Sequence, residues 1–402
     1  MLSRLIVTGV AILMLLSTNL ALAVKQPESL SPGARALVEQ AFVGLEGREL
    51  VDYHVHMLGL GVGGTGASVN PRLLSWAHPI SRLKAKIFFK SSGISDEAKA
   101  DQQYLERLLK LAQGFVQPIK LAILALDYHY TRDGRAVKEL SEIFTPSDYV
   151  LALAKRYPDA FIPVVSVHPY DPEALQKLET LAKQGARMVK WLPNAQGMDP
   201  SDPAIDPYYR LMVRYGMILL CHTGYESAVQ SDGAQGLGNP LLLRRPLDLG
   251  VTVIMAHAGN RGSSEDIDHP GNQIRNFDLF LRMMDDPKYE DRLFADISAV
   301  TQVLRSQNDL KILLKRGDLH HRFVNGSDYP LPAIYSFIQP RLLQFSGFIS
   351  ADERRYLSEI FQYNPLLFDF VLKRTLRHPE SGEKFSSLIF AAHPGLAVKS
   401  KP

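Results

Sequence analysis

The sequence predicts an α/β fold, a (β/α)8 TIM barrel with a long insertion after its first strand. Three observations carry this. Eight short apolar segments alternate with helical stretches between residues 50 and 325. The segments are apolar throughout rather than at every second position, as strands covered on both faces are. The stretches between them are long enough for parallel crossovers. A doubly wound open sheet is the competing arrangement, weakened because no Gly-x-Gly-x-x-Gly turn follows the first strand. Single barrels run to about 250 residues and beyond with insertions. The 402 residues therefore fit a leader, 1–23, and one domain, 24–402, with its barrel core at about 48–376.

Residues 1–23 read as a secretory signal peptide: Arg4, an apolar stretch over 5–22, then Ala21-Leu22-Ala23, a cleavage site before Val24. An uncleaved anchor is the competing reading. The expected location is periplasmic or secreted, with no stable membrane insertion after cleavage. Cys221 is the only cysteine, so no intramolecular disulfide can form. A core this large does without one.

Ser31 is placed to cap a helix over 32–43, and the strand at 50–57 follows. The insertion, 57–95, is glycine-rich at first and then carries Trp76, His78 and a basic stretch from Arg82 to Lys90. Loops of this length are usually functional, so it reads as a lid; a decorated surface loop is the alternative. Helices are expected at 96–113, 145–157, 171–183, 207–215, 240–249, 274–285 and 302–315. Strands are expected at 119–126, 161–167, 186–192, 216–221, 251–256, 293–297 and 322–325. Helices at 352–360 and 365–374 should complete the outer layer, and the polar tail 377–402 has no evident place.

Apolar content of 46% and charged content of 22% exclude disordered, collagen-like and membrane-embedded classes. A net charge of +3, without a dense basic run interleaved with aromatics, makes nucleic acid an unexpected partner. The expected partner is a small-molecule substrate, and homo-oligomerisation stays open.

In a barrel, side chains at the carboxyl ends of the strands converge on one mouth. The first strand, Leu-Val-Asp-Tyr-His-Val-His, offers His54 and His56 on one face, half of a metal site or an ordinary pair of strand histidines. The fourth ends in Lys190, the fifth in His222, the sixth in His257, and the eighth, Gly-Ser-Asp-Tyr-Pro, in Asp328. Each of these falls where an apolar run stops, which a random scatter of histidines would not produce.

This ordered set over about residues 50–330 resembles the amidohydrolase superfamily of metal-dependent hydrolases. The Gly-Ser-Asp-Tyr-Pro ending is similar to the branch of carboxymuconate-semialdehyde decarboxylase-like enzymes. The resemblance implies one or two divalent metal ions, most readily zinc. His54, His56 and Asp328 would hold one and His222 and His257 a second, with Lys190 bridging them as a carboxylated lysine. Asp328 would take a proton from the attacking water, with His257 and Lys190 as further catalytic groups. In the decarboxylase-like branch a single metal is held by His-x-His, the fifth-strand histidine and the aspartate, with the sixth-strand histidine as acid or base. Hydrolysis of an amide, ester, lactone or phosphoester is the expected activity; a one-metal decarboxylase or lyase acting on a carboxylate is the alternative, and a non-catalytic metal-binding periplasmic protein a third.

Several residues after strand ends are candidates for the substrate-binding wall: His129, His168, Trp191, Asn194, Tyr225, Glu226, Asn260 and Arg261. For the loop residues among them, local satisfaction of hydrogen bonds is the competing reading. Cys221 alternates with His222 and should face the outer helices; Asp52, two before His54, should share its face and lie deeper.

Overall fold

The computed structural model describes residues 29–231, 233–259 and 261–396. The expected signal peptide lies outside the described residues. Eight strands form one sheet: β1 (Leu50–His56), β2 (Ile119–Leu124), β3 (Phe161–Val165), β4 (Met188–Trp191), β5 (Ile218–His222), β6 (Thr252–Ala256), β7 (Leu293–Asp296) and β8 (Phe323–Val324). Each pairs in parallel with the next in sequence. The seam between β8 and β1 is drawn together just beyond the short last strand. Tyr53 N donates to Asn325 O at 2.9 Å, Asp328 N to His54 O at 2.8 Å and His56 N to Tyr329 O at 2.9 Å.

Two apolar layers result. Inside the barrel Val51, Tyr53, Leu124, Met188, Leu220 and Val324 pack together. Between strands and helices lies the larger cluster, which includes Cys221, as alternation from His222 predicts. The helices begin where the sequence can cap them: Ser31 at Pro32–Phe42, Ser306 at Gln307–Lys315, and a Ser350/Glu353 capping box at Ala351–Tyr363. The Ser306 cap starts that helix several residues later than expected. The tail that had no evident place closes the lower end of the barrel: Asn325 N donates to Ile389 O at 2.8 Å, and Leu396 joins the interior cluster.

The segment 57–95 is not a bare loop. A short strand, Ser68–Val69, pairs antiparallel with Ile143–Phe144, and a helix runs over Pro79–Ser91. Pro79 at its first turn is compatible with a helix start. Asp101 anchors the glycine-rich part by accepting from Leu60 N at 2.6 Å and Gly61 N at 3.1 Å.

Alternation fails at one place. The register of β1 against β2 shifts between Asp52 and Val55, a bulge. Val51 and Tyr53 point into the barrel, yet Val55 belongs to the outer layer. Asp52, expected on the face of His54, therefore turns the other way. Its Oδ1 accepts from His54 N at 3.1 Å and Ser327 N at 2.8 Å. Nearby, the wholly buried Lys373 donates to Gly326 O at 2.6 Å and to Asp369 at 2.5 Å. This buried group grips the backbone of both strands at the seam from outside.

Burial pushes the carboxyl of Asp369 up to about 7 despite Lys373, and that of Asp52 to about 6. An unfolded aspartate titrates near about 3.9. Between these limits the folded state keeps protons that the unfolded chain has released, so stability falls as pH rises. Urea unfolding across pH 4 to 7 (approximate limits from the same shift) should show a shallower fall in Asp369→Asn. An unchanged slope would remove Asp369 from the account.

Candidate metal centre

The bulge in β1 turns His54 inward, and two residues on His56 follows it. Across the seam Asp328 has φ +61°, the left-handed region that aspartate tolerates better than most residues. Three ligand atoms converge as a result. His54 Nε2 lies 3.3 Å from His56 Nε2 and 3.5 Å from Asp328 Oδ1, and His56 Nε2 lies 3.2 Å from that oxygen. Zinc–ligand bonds of about 2.0–2.1 Å in tetrahedral geometry give edges of about 3.3 Å, so the spacing fits one ion.

The protonation states fit as well. His54 Nδ1 faces Asp296 Oδ2 at 2.8 Å, which leaves the Nε2 lone pair for a metal. Burial, reinforced by Lys190, lowers the pKa of His54, and burial lowers those of His222 and His257, so all three imidazoles are neutral at pH 7, as ligands must be. Against the desolvation that burial imposes, His56 and His54 hold Asp328 well below the usual carboxylate range. His222 Nε2 is buried without a hydrogen-bond partner among the described residues, 3.5 Å from Glu226 Oε2.

Lys190 is buried, with Nζ 3.3 Å from His54 Nε2 and no carboxylate within ion-pairing distance among the described residues. Desolvation pulls its ammonium pKa down, opposed by Asp296 and Asp328. His257, with φ +61°, faces Ser298 Oγ through Nδ1 at 2.7 Å. Ser298 also hydrogen-bonds Asp296, whose Oδ1 accepts from His257 N at 2.9 Å.

Above these groups opens a cavity of about 1050 Å³ including its mouth. Its floor holds His54, His56, Lys190, His222, His257 and Asp328. Its walls are mostly apolar, among them Leu58, Leu60, Phe88, Phe89, Ile94 and Leu331. The helix Pro79–Ser91 forms one side, tied across the mouth by Lys84 Nζ donating to Ala228 O at 2.5 Å.

Of the seven described candidates for the substrate wall, only Glu226 lines this cavity. Trp191 is 0% exposed; its indole donates to Val167 O at 3.1 Å and packs on Tyr208 and Tyr209, because alternation from the inward Lys190 sends it outward. Asn194 is buried and ties two loops by donating to Gly224 O and Gln235. His168 uses both ring nitrogens, on Gln196 O and Tyr170 N. His129 faces Ala195 O and borders a separate small cavity. Tyr225, 43% exposed, lies under Arg261, which donates to Ser227 Oγ at 2.7 Å. Asn260 lies outside the described residues.

Asp296 and Arg305 went unrecognised in the sequence. Asp296 ends β7 with no glycine or proline close behind it, the signal that marks the other metal-site strand ends. Arg305, half-buried on the loop after β7, lies in the field of Asp328 and Glu226, and burial lowers its guanidinium pKa to about 10. Asp296→Ala removes the group that orients His54. Metal affinity is expected to fall about 10- to 100-fold, measured by competition with a chromogenic chelator.

The amidohydrolase family model matches residues 51–334, most of the chain and the whole of the barrel through Asp328. The chain belongs to the amidohydrolase family. Solved structures similar to it include an uncharacterized TIM-barrel protein of Bordetella bronchiseptica, 17% identical over 77% of this chain and 94% of that one, TM-score 0.49. A 4-oxalomesaconate hydratase of Rhodopseudomonas palustris is 16% identical over 76% and 92%, TM-score 0.39. A 5-carboxyvanillate decarboxylase of Novosphingobium aromaticivorans is 13% identical over 80% and 95%, TM-score 0.41. No curated protein matches the chain. Members of this family are metal-dependent, and the convergent His54, His56 and Asp328 supply the donors such chemistry needs.

Proposed function

We propose that the protein is an exported hydrolase that directs water onto an amide, ester or lactone bond of a mainly apolar substrate, with a phosphoester within reach of the same chemistry. The observation that carries this is the convergence of His54, His56 and Asp328 at the floor of an apolar cavity. A divalent ion held there by His54, His56 and Asp328, with His222 beside them, would lower the pKa of a water and polarise the bond to be cleaved.

The chain supplies the rest. Asp328 is an ionised, buried carboxylate able to accept the proton of the attacking water and pass it to the leaving group. His257, its Nδ1 engaged by Ser298, keeps Nε2 for a developing charge or a proton. The wall of Leu58, Leu60, Phe88 and Phe89 excludes bulk water and seats an apolar substrate group. Lys190 fits two roles: a buried amine in the mouth beside a single ion, or a carboxylated bridge to a second ion at His222 and His257.

The test is hydrolysis of a panel of apolar esters, lactones and amides, lost with chelator and restored by zinc or manganese. Release of CO2 from aromatic carboxylic acids with no hydrolysis of the panel would overturn it in favour of a lyase. Metal analysis decides Lys190: two ions per chain falling toward one in Lys190→Ala supports the bridge, and one ion in the wild type removes it. Export is tested by fractionation, with Val24 as the expected first residue of the mature chain.

A further inference from the structure

The outer face of the segment covering the cavity is unlike the rest of the molecule. Residues 57–95 contain Arg72, Arg82, Lys84, Lys86 and Lys90 and no aspartate or glutamate. The whole chain is only +3, so the remainder is net acidic and the positive charge is concentrated in this one piece. Large apolar side chains are exposed beside it: Trp76 is 77% exposed, Ile80 64% and Leu83 49%.

The helix Pro79–Ser91 is apolar on two opposite sides. At about 100° per residue Ala85, Phe88 and Phe89 share one side, and these line the cavity. Ile80, Leu83 and Ile87 share the other, flanked by Lys86 and Lys90. Trp76 stands at the foot of the helix with the Arg82 guanidinium 4.3 Å and the Lys86 ammonium 5.5 Å from its ring centre. A soluble surface rarely leaves Trp, Ile and Leu grouped in the open without a use. A basic, acid-free helix with Trp, Ile and Leu projecting is the composition that lies in a membrane interface: the rings and aliphatic chains enter the headgroup boundary and the cations meet anionic lipid.

We propose that this segment docks the protein on anionic phospholipid surfaces through Trp76, Ile80 and Leu83, with Lys86 and Lys90 on the lipid charges. One helix then has its outer side on the bilayer and its inner side on the cavity, so an apolar substrate leaving the membrane meets the wall of the site first. The docking does not depend on which bond is cleaved.

The test uses vesicles of phosphatidylglycerol and phosphatidylcholine against vesicles of phosphatidylcholine alone. The chain has two tryptophans, and Trp191 is wholly buried, so emission changes on mixing report Trp76. Expected results are co-sedimentation with the anionic vesicles only, a blue shift, protection from aqueous acrylamide, and loss of binding at high salt. At about fivefold per basic side chain near the surface, Lys86→Gln with Lys90→Gln should weaken partitioning about 30-fold. Ile80→Ser with Leu83→Ser should remove the acrylamide protection. None of these side chains lines the cavity or is buried, so unfolding midpoints should not move. The protein used is the mature chain from Val24, so the apolar stretch at 5–22 takes no part in the binding. Equal partitioning onto neutral vesicles, or Trp76 still quenched while bound, would overturn the proposal. So would shielding of Trp76 by self-association without lipid, or duplex DNA competing the protein off the vesicles.

Discussion

Asp328→Asn is expected to lower kcat by about 10²- to 10⁴-fold, the range for loss of a positioned proton-transfer group. The substitution keeps the shape of the side chain, and asparagine tolerates the same left-handed backbone, so the Asp328 N to His54 O hydrogen bond that closes the seam should survive. What it removes is the anion that meets His56 at 3.2 Å and His54 at 3.5 Å. Metal affinity should fall with turnover, so kcat is measured at saturating metal and metal content separately. Near-wild-type kcat in a fully loaded Asp328→Asn protein would take the proton-transfer role away from this residue.

Gly326→Ala should be almost as damaging although it adds a single methyl group. A Cβ at Gly326 would stand 2.9 Å from His54 Cβ, 3.2 Å from Ser298 Cβ and 3.3 Å from Asp296 Cγ. None of the three is a flexible side-chain end, so the ligand or the last strand has to move. Displacement of a reacting group by about 1 Å costs about 10²-fold, and that loss of kcat/KM is expected here. Overpacking should also lower stability by about 1–3 kcal/mol, read from urea unfolding. Activity within a few-fold of wild type would show that the strand end yields more easily than its packing implies.

The groups that converge were legible because a parallel barrel makes position in the chain equivalent to position in space: whatever ends a strand stands at one rim. His54, His56, Lys190, His222, His257 and Asp328 were found that way. The same rule placed Trp191 wrongly only because it was applied to a neighbour of a strand end without regard to alternation. His129, His168 and Asn194 follow strand ends too, but each turns a side-chain nitrogen to the backbone of another loop, which depends on loop paths that no periodicity encodes. Asp52 illustrates a third limit. One extra residue in β1 reverses the facing of everything before it, and Leu-Val-Asp-Tyr-His carries no glycine to announce a bulge. The helix at Pro79–Ser91 was hidden by its two apolar sides, which blur the single stripe expected of a surface helix.

The three convergent donors come from opposite ends of the barrel sequence: His54 and His56 open it, and Asp328 follows its final strand. On a ribosome, some 270 residues separate the arrival of His56 from that of Asp328. A nascent chain cannot present the complete triad, and an ion captured earlier would have to be held by a different and weaker set. The set of three donors is therefore complete only once the last strand has closed on the first.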